Sequence, residues 1–135
     1  MSGTILDIYT DGGSRGNPGP SGIGVVIKEN KENIGTFAKY IGEGTNNQAE
    51  YEAVILGLEE AKKLKADELN FFIDSELVVN QLNRKYKVKD QKLGSLFVKA
   101  WNLMTNFKLV TYTHIPREKN TEADALVNQA LDAQK

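Results

Sequence analysis

Four carboxylates stand where elements of secondary structure are predicted to begin or end. Asp11 closes an apolar run, Glu50 lies in the first turns of a predicted helix, Asp74 precedes a predicted helix, and Asp124 lies near the start of the last one. Carboxylates brought together repel one another unless cations lie between them. Oxygen ligands, in a chain with no cysteine and one histidine, suit Mg²⁺ or Mn²⁺ rather than zinc. Two such ions about 4 Å apart are the arrangement for in-line hydrolysis of a phosphodiester.

Each of these carboxylates also has an ordinary structural explanation. Asp before Gly, as at Asp11, is common in turns, and an acidic residue such as Glu50 near a helix start complements the helix dipole. Asp74 is placed like a helix cap, and Asp124 completes a Thr-x-x-acid pattern typical of a capping box. The joint placement favours a site, because ligands of open α/β sheets bind outside the carboxyl ends of strands.

The elements that must position these side chains follow from the hydrophobic pattern. Residues 4–11, 22–29 and 34–42 read as an antiparallel meander. Apolar residues then recur at helical spacing over 45–64, with Thr45 or Asn46 as the N-cap. The later predicted elements are a strand at 68–75, helices at 76–86 and 91–104, a strand at 107–115 and a helix at 121–134. This order predicts an α/β fold with a five-stranded mixed sheet, three antiparallel strands and then parallel ones, flanked by helices.

Composition narrows the class of protein. The length of 135 residues predicts a single domain over 1–135. The absence of cysteine excludes disulfides, cysteine-ligated zinc and iron–sulfur clusters. A net charge of −1 is not typical of a protein held to nucleic acid by bulk charge, but a nucleic-acid enzyme with an acidic metal site also fits it, because its carboxylates offset its basic residues. With no signal peptide or membrane span in the sequence, and with an initiator Met, we expect a free-standing cytoplasmic monomer that has no membrane contact and no obligate protein partner.

Four blocks of sequence, in order and across essentially the whole chain, resemble the type 1 ribonuclease H family. They are YTDGGSRGNPGPSGIG, TNNQAEYEAVILGL, FFIDSELVV and HIPREKNTEADALVN. The resemblance implies an RNase H-like fold. It also implies an endoribonuclease that hydrolyses the RNA strand of RNA/DNA hybrids and leaves 5′-phosphate and 3′-hydroxyl ends.

Three alternatives compete with this interpretation. A catalytically silent module that binds hybrid or structured RNA predicts a lost carboxylate, and none is missing. A phosphate cradle for a nucleotide at residues 12–22 lacks the Lys-Ser/Thr and GxGxxG patterns. A third alternative is that the chain is an excised nuclease domain of a reverse transcriptase, although its own initiator Met and compact ends favour a free-standing enzyme.

The resemblance implies roles for the carboxylates and for the one histidine. Asp11 would bridge two Mg²⁺ or Mn²⁺ ions when substrate is bound, and Asp124 would share the ion that activates water. Glu50 and Asp74 would hold the ion at the leaving 3′-oxygen. His114, ten residues before Asp124, matches a loop histidine that assists protonation or product release, a task suited to a near-neutral pKa.

The resemblance also implies substrate contacts. RNA is distinguished from DNA by its 2′-hydroxyl, and a glycine loop lets the backbone come close to a ligand. The expected substrate-binding residues are Gly12, Gly13, Ser14, Asn17, Thr45, Asn46, Asn47 and Asn120, with Thr45 and Asn17 also holding a DNA phosphate.

The sequence departs from the family pattern beside the third helix. A short basic segment at 84–92 stands where some bacterial members carry a basic protrusion, which places the chain in a protrusion-lacking subgroup. Gly94 occupies the position of a channel tryptophan, Glu76 stands where some relatives have glutamine, and Trp101 is predicted to be core. We therefore expect weaker hybrid binding and a stronger salt dependence than in protrusion-bearing enzymes.

Overall fold

The computed structural model describes residues 3–134, so residues 1, 2 and 135 of the predicted domain lie outside it. The strands are β1 (Ile5–Ser14), β2 (Gly19–Glu29), β3 (Glu32–Gly44), β4 (Glu68–Ile73) and β5 (Leu109–His114). The helices are α1 (Asn46–Lys63), α2 (Glu76–Leu82), α3 (Gln91–Met104) and α4 (Thr121–Asp132), with a 3-10 turn at Arg117–Lys119. None of the helices in this described part is long and apolar enough to cross a membrane.

The five strands form one mixed sheet in the order β3-β2-β1-β4-β5. The first three strands are antiparallel, and β4 runs parallel to both β1 and β5, as the sequence predicted. Thr10 of β1 pairs with Ile73, the last residue of β4. Asp11 and Asp74 each follow this pair directly, so the register places both carboxylates at the same end of neighbouring strands.

The main hydrophobic core lies between the sheet and α1, α2 and α3. Ile8 and Phe71 from the sheet and Tyr51 and Leu58 from α1 are fully buried in it. Tyr51 donates a hydrogen bond of 2.7 Å to Oε1 of Gln81, which satisfies its buried hydroxyl. This core fixes α1 against the sheet and therefore fixes the position of any side chain that α1 carries to the sheet edge.

Gly12 sets the distance between α1 and β1. A Cβ at this position would lie 2.3 Å from the backbone carbonyl of Ala49, which is a severe overlap. Only glycine therefore lets the helix rest on the strand this closely. Glu50 follows Ala49 in the helix, so the contact brings its carboxylate beside the strand that carries Asp11.

Gly24 lets a helix approach the sheet equally closely on the opposite face. That helix is α4. A Cβ there would lie 2.3 Å from the carbonyl oxygen of Ala123. Asp124 is the next residue of α4, and Gly24 pairs with Asp11 in the ladder. Two glycine–alanine contacts thus place the two helical carboxylates on either side of Asp11.

Trp101 was predicted to be core, and the structure corrects this. Its side chain is 37% exposed and stacks on Phe97 with ring centroids 5.7 Å apart, while the Arg84 guanidinium lies 5.3 Å from its ring centroid. Leu93 and Ala100 are buried as expected. The apolar stripe of α3 is narrower than the sequence pattern suggested, and Trp101 lies at its edge.

Candidate functional site

Asp11, Glu50 and Asp74 converge at the carboxyl end of β4, next to the point where β1 stops pairing with that strand. Each offers a carboxylate oxygen, and these oxygens all lie within 4.8 Å of one another. Asp11 and Glu50 are each only 7% exposed. The predicted convergence of these three side chains is therefore present in the fold, on three separate elements.

Asp124 lies in the same cleft but outside that set of three. It interacts closely enough with Asp11 to help raise the pKa of that residue. Its Oδ2 accepts a hydrogen bond of 3.5 Å from Nδ2 of Asn128, one helical turn later. The fourth carboxylate is thus adjacent to the cluster on the face of the sheet that α4 covers.

The ordinary structural explanations fail for these carboxylates. Asp11 lies within β1 rather than at its end, because Gly12 and Gly13 continue the ladder opposite β2. Glu50 lies beyond the first turn of α1, and Thr45 caps that helix in a capping box with Gln48.

The two remaining explanations fail in the same way. Ser75, not Asp74, caps α2 by accepting a hydrogen bond of 3.3 Å from the Val78 amide. No side-chain cap begins α4, where Asn120 occupies the cap position, so the Thr-x-x-acid pattern ending at Asp124 is not a capping box. Thr45 and Ser75 cap α1 and α2, α4 has no side-chain cap, and none of the carboxylates acts as a cap.

The electrostatics of the cluster are unfavourable for four ionised groups. The pKa of Asp11 is raised to about 8, first by burial, then by the charge of Asp74 and by contacts with Asp124. The Gly12 amide acts in the opposite direction, since it donates a hydrogen bond of 3.0 Å to Asp11 Oδ1. Burial and the charges of Asp11 and Asp74 likewise raise the pKa of Glu50 well above its usual range. Strong perturbation of pKa by burial and like charge is typical of functional sites.

The donor set fits a hard divalent cation. Glu50 Oε1 is buried and has no hydrogen-bond partner among the described residues, and such an orphaned acceptor is costly unless something binds it. Carboxylate oxygens are the ligands that Mg²⁺ and Mn²⁺ prefer. A cation at this position would satisfy the orphaned oxygen and offset the repulsion that raises both pKa values.

Asn120 is a buried residue that fixes the position of Asp74 through a hydrogen bond. It is 1% exposed, and its Nδ2 donates to the Thr10 carbonyl at 2.9 Å and to Asp74 Oδ2 at 3.2 Å. These bonds connect the start of α4 to Thr10 within β1 and to Asp74 just after β4. The expected substrate contact of Asn120 stays a prediction, and the geometry gives this residue a positioning task.

The glycine loop and the start of α1 form one wall of the cleft. The Ser14 amide donates to Asn46 Oδ1 at 2.8 Å, and the Asn46 amide donates to Asn17 Oδ1 at 3.0 Å. Of the expected substrate-binding residues, those that line the cleft of about 410 Å³ are Gly12, Gly13, Ser14, Asn46 and Asn47. Asn17 and Thr45 support this wall, and their substrate contacts stay predictions.

His114 lies at the end of β5, where it pairs with Ile73 in the parallel ladder. Its side chain is exposed, and it is absent from the described residues that line the cleft. His114 is therefore one strand away from Asp74 rather than inside the cluster. Its role in proton transfer stays a prediction.

Several cleft residues were not identified from the sequence. Arg117 lies close enough to Glu50 to lower the pKa of that residue, and Asn128 contacts Asp124. Arg15 and Ser75 also line the cleft. The four-residue spacing of Asp124 and Asn128 in a predicted helix was an available signal for that pair, whereas Arg117 lies in a loop with no such pattern.

Comparison with known proteins connects this site to a family. The sequence profile described as reverse transcriptase-like matches residues 9–130. The "Bifunctional protein Rv2228c" of Mycobacterium tuberculosis is 44% identical over 128 residues, which are 93% of this chain but 35% of that protein. The "Ribonuclease HI" of Halobacterium salinarum is 42% identical over 131 residues, 96% of this chain and 66% of that protein. The chain thus spans about a third of the first relative and about two-thirds of the second.

Solved structures agree with the sequence comparison. The N-terminal RNase H domain of Rv2228c superposes with a TM-score of 0.93 at 43% identity, covering 96% of this chain and 95% of that one. RNase H1 of Halobacterium salinarum gives 0.93 at 41% identity, covering 96% and 98%. LC11-RNase H1, solved in complex with an RNA/DNA hybrid, gives 0.92 at 45% identity, also covering 96% and 98%. The fold, with its mixed five-stranded sheet, is that of these RNase H domains.

Proposed function

This chain belongs to the ribonuclease H-like family, and from that membership we propose that it is an endoribonuclease that hydrolyses the RNA strand of RNA/DNA hybrids. The observation that carries the proposal is the trio of Asp11, Glu50 and Asp74, whose oxygens lie within 4.8 Å of one another. A silent binding module would have no need to keep such mutually repelling groups buried. The hybrid bound to LC11-RNase H1 supports the substrate class.

The carboxylates would hold divalent ions, Mg²⁺ or Mn²⁺, in the complex with substrate. Asp11 is central, since it contacts Asp74, Asp124 and Glu50 and is the residue best placed to be shared by two ions. When bound, such ions lower the pKa of a coordinated water and offset negative charge on the phosphate, which suits cleavage to 5′-phosphate and 3′-hydroxyl ends.

The protein's own groups orient the substrate. The Ser14 amide donates to Oδ1 of Asn46, so Nδ2 of this cleft-lining residue would be the donor to a 2′-hydroxyl. Gly12 and Gly13 both line the cleft, and at Gly13 the missing side chain leaves room for a ribose to approach closely. Arg117 offsets part of the negative charge around Glu50.

A cleavage assay tests the proposal. The protein is incubated with Mg²⁺ or Mn²⁺ and with end-labelled hybrid, duplex DNA or single-stranded RNA, beside Asp11→Asn and the control Asp7→Asn. Asp7 lies on the same strand and accepts a hydrogen bond from Asn70, which an asparagine oxygen can also accept. We expect cutting of the RNA strand of the hybrid only, abolished by Asp11→Asn and retained by Asp7→Asn.

The other outcomes discriminate between the alternatives. Intact hybrid in both metals, with tight binding of the hybrid, would identify a silent module. Equal cleavage of single-stranded RNA would contradict selection of RNA within a hybrid. Mass spectrometry of the products checks the predicted 5′-phosphate and 3′-hydroxyl ends.

A further inference from the structure

Arg15 is a cation at the rim of the cleft with no part in the carboxylate cluster. Among the described residues that line the cleft, two carry positive charge, Arg15 and Arg117. Arg117 lies near Glu50 and lowers its pKa, so its charge acts on the cluster. Arg15 instead lies on the loop between β1 and β2, next to Ser14, which also lines the cleft.

The partners of the Arg15 guanidinium are of a kind that a phosphate can replace. Its Nη2 lies 2.8 Å from Oδ1 of Asp132, and the two side chains are 43% and 56% exposed. The same nitrogen donates to Asn128 Oδ1 at 3.4 Å, a long bond. An ion pair this exposed contributes little to stability, because both charges remain hydrated. A guanidinium also matches a phosphate with two parallel hydrogen bonds.

The backbone of Arg15 is held firmly while its side chain is not. The Arg15 amide donates to the Pro20 carbonyl at 2.8 Å, and the preceding Ser14 amide is fixed on Asn46. The loop is therefore attached to the start of α1, and the long side chain reaches across to α4. A rotation of the side chain alone can move the guanidinium between α4 and a ligand in the cleft.

From this geometry we propose that Arg15 binds a backbone phosphate of the nucleic acid next to the cleaved one, and that Asp132 holds the guanidinium until that phosphate arrives. The inference rests on the proposed function, since it names a further contact of the same site. Asp132 is an internal competitor for Arg15, so the two partners of one ion pair have opposite effects on substrate binding.

The test measures binding of fluorescently labelled hybrid by anisotropy across 50 to 200 mM salt, with every variant in an Asp11→Asn background to prevent cleavage. We expect Arg15→Ala to weaken binding about tenfold and to reduce the slope of log K against log salt by about one. Arg15→Lys should retain part of the affinity. Asp132→Asn should tighten binding about twofold, because the competitor is removed.

A matched control is Lys63 on α1, whose side chain is 72% exposed and lies 3.0 Å from the partly buried carboxylate of Glu60. Lys63→Ala removes one cation from an ion pair elsewhere and should change neither the affinity nor the slope. Thermal unfolding of each variant verifies that the fold is intact.

Two results would overturn the inference: an unchanged salt slope in Arg15→Ala, or equal weakening by Arg15→Ala and Asp132→Asn, which would show that the pair only positions the loop. Both differ from failure of the proposed function. If the proposed function is wrong, the protein without any substitution will leave the hybrid uncut, and the phosphate contact of Arg15 will be wrong as well.

Discussion

Nδ2 of Asn120 lies 3.2 Å from Oδ2 of Asp74 and donates a hydrogen bond to it, while the same nitrogen donates to the Thr10 carbonyl. One buried amide therefore connects three elements that carry the cluster. We expect Asn120→Ala to lower activity about 10- to 100-fold, the usual cost of losing a group that orients a metal ligand. The metal concentration needed for half-maximal rate should rise with it.

A matched control for this variant is Asn83→Ala. Asn83 also donates from its side chain to a strand carbonyl, that of Tyr112, at 3.1 Å. Its loss should lower stability by about 1 to 3 kcal/mol without changing the metal dependence. An equal shift of metal dependence in both variants would contradict the positioning role of Asn120.

The metal-free protein should become less stable as the pH rises. Burial, the charge of Asp74 and contacts with Asp124 raise the pKa of Asp11 to about 8, whereas the pKa of an aspartate in an unfolded chain is about 3.9. Between these values the unfolded state binds fewer protons than the folded state, so the free energy of unfolding falls with increasing pH.

Thermal unfolding at several pH values, with EDTA or with Mg²⁺, checks this dependence. Mg²⁺ should stabilise the protein most at high pH, where the ligands have lost their protons, by about 2.7 kcal/mol at 100 times its Kd. A metal-free stability that rises between pH 5 and 8 would contradict the described charge balance.

Replacing Gly12 by alanine should be severely destabilising. The added Cβ would overlap the Ala49 backbone at 2.3 Å, and overpacking of this kind costs about 3 kcal/mol. Urea unfolding measures the loss. The control is Gly94→Ala in α3, where a Cβ meets nothing within 4 Å; that helical substitution should stabilise the protein by about 0.5 to 1 kcal/mol.

Glu122 should stabilise the protein at neutral pH and lose that contribution in acid. Hydrogen bonds from Lys28 and Asn33, each 2.8 Å long, lower the pKa of Glu122. A lowered pKa gives stability that is present above the unfolded pKa of about 4.3 and is lost as the pH falls through the folded value. We expect Glu122→Gln to flatten the loss of stability between pH 5 and 3 in urea titrations. Glu118→Gln, in the exposed 3-10 turn, serves as the control.

The sequence predicted the sheet and the three clustered carboxylates because those depend on local pattern and strand order. Periodicity located the elements, and the end of β4 at Ile73 placed Asp74. Strand ends near glycine were less predictable, since β1 continues to Ser14 through pairing with β2 that no local pattern reveals.

The contacts made across the fold were the part that the sequence could not supply. Asn128 lies in α4, which packs closely against Gly24, and Arg117 lies in the 3-10 turn before that helix; both line the cleft. Trp101 was assigned to the core because it lies at helical spacing with the apolar residues of α3. The pattern did not show where the buried part of that face ends. Tertiary packing decided both cases.

The buried and mutually repelling carboxylates have a consequence for how this protein responds to selection. Replacing Asp11 or Glu50 by its amide removes a repulsive charge, and such a variant should survive heating in chelator better than the parent. A search for thermostable variants conducted without metal would therefore enrich inactive proteins. Selection for activity must therefore oppose substitutions that stabilise the fold and inactivate this site.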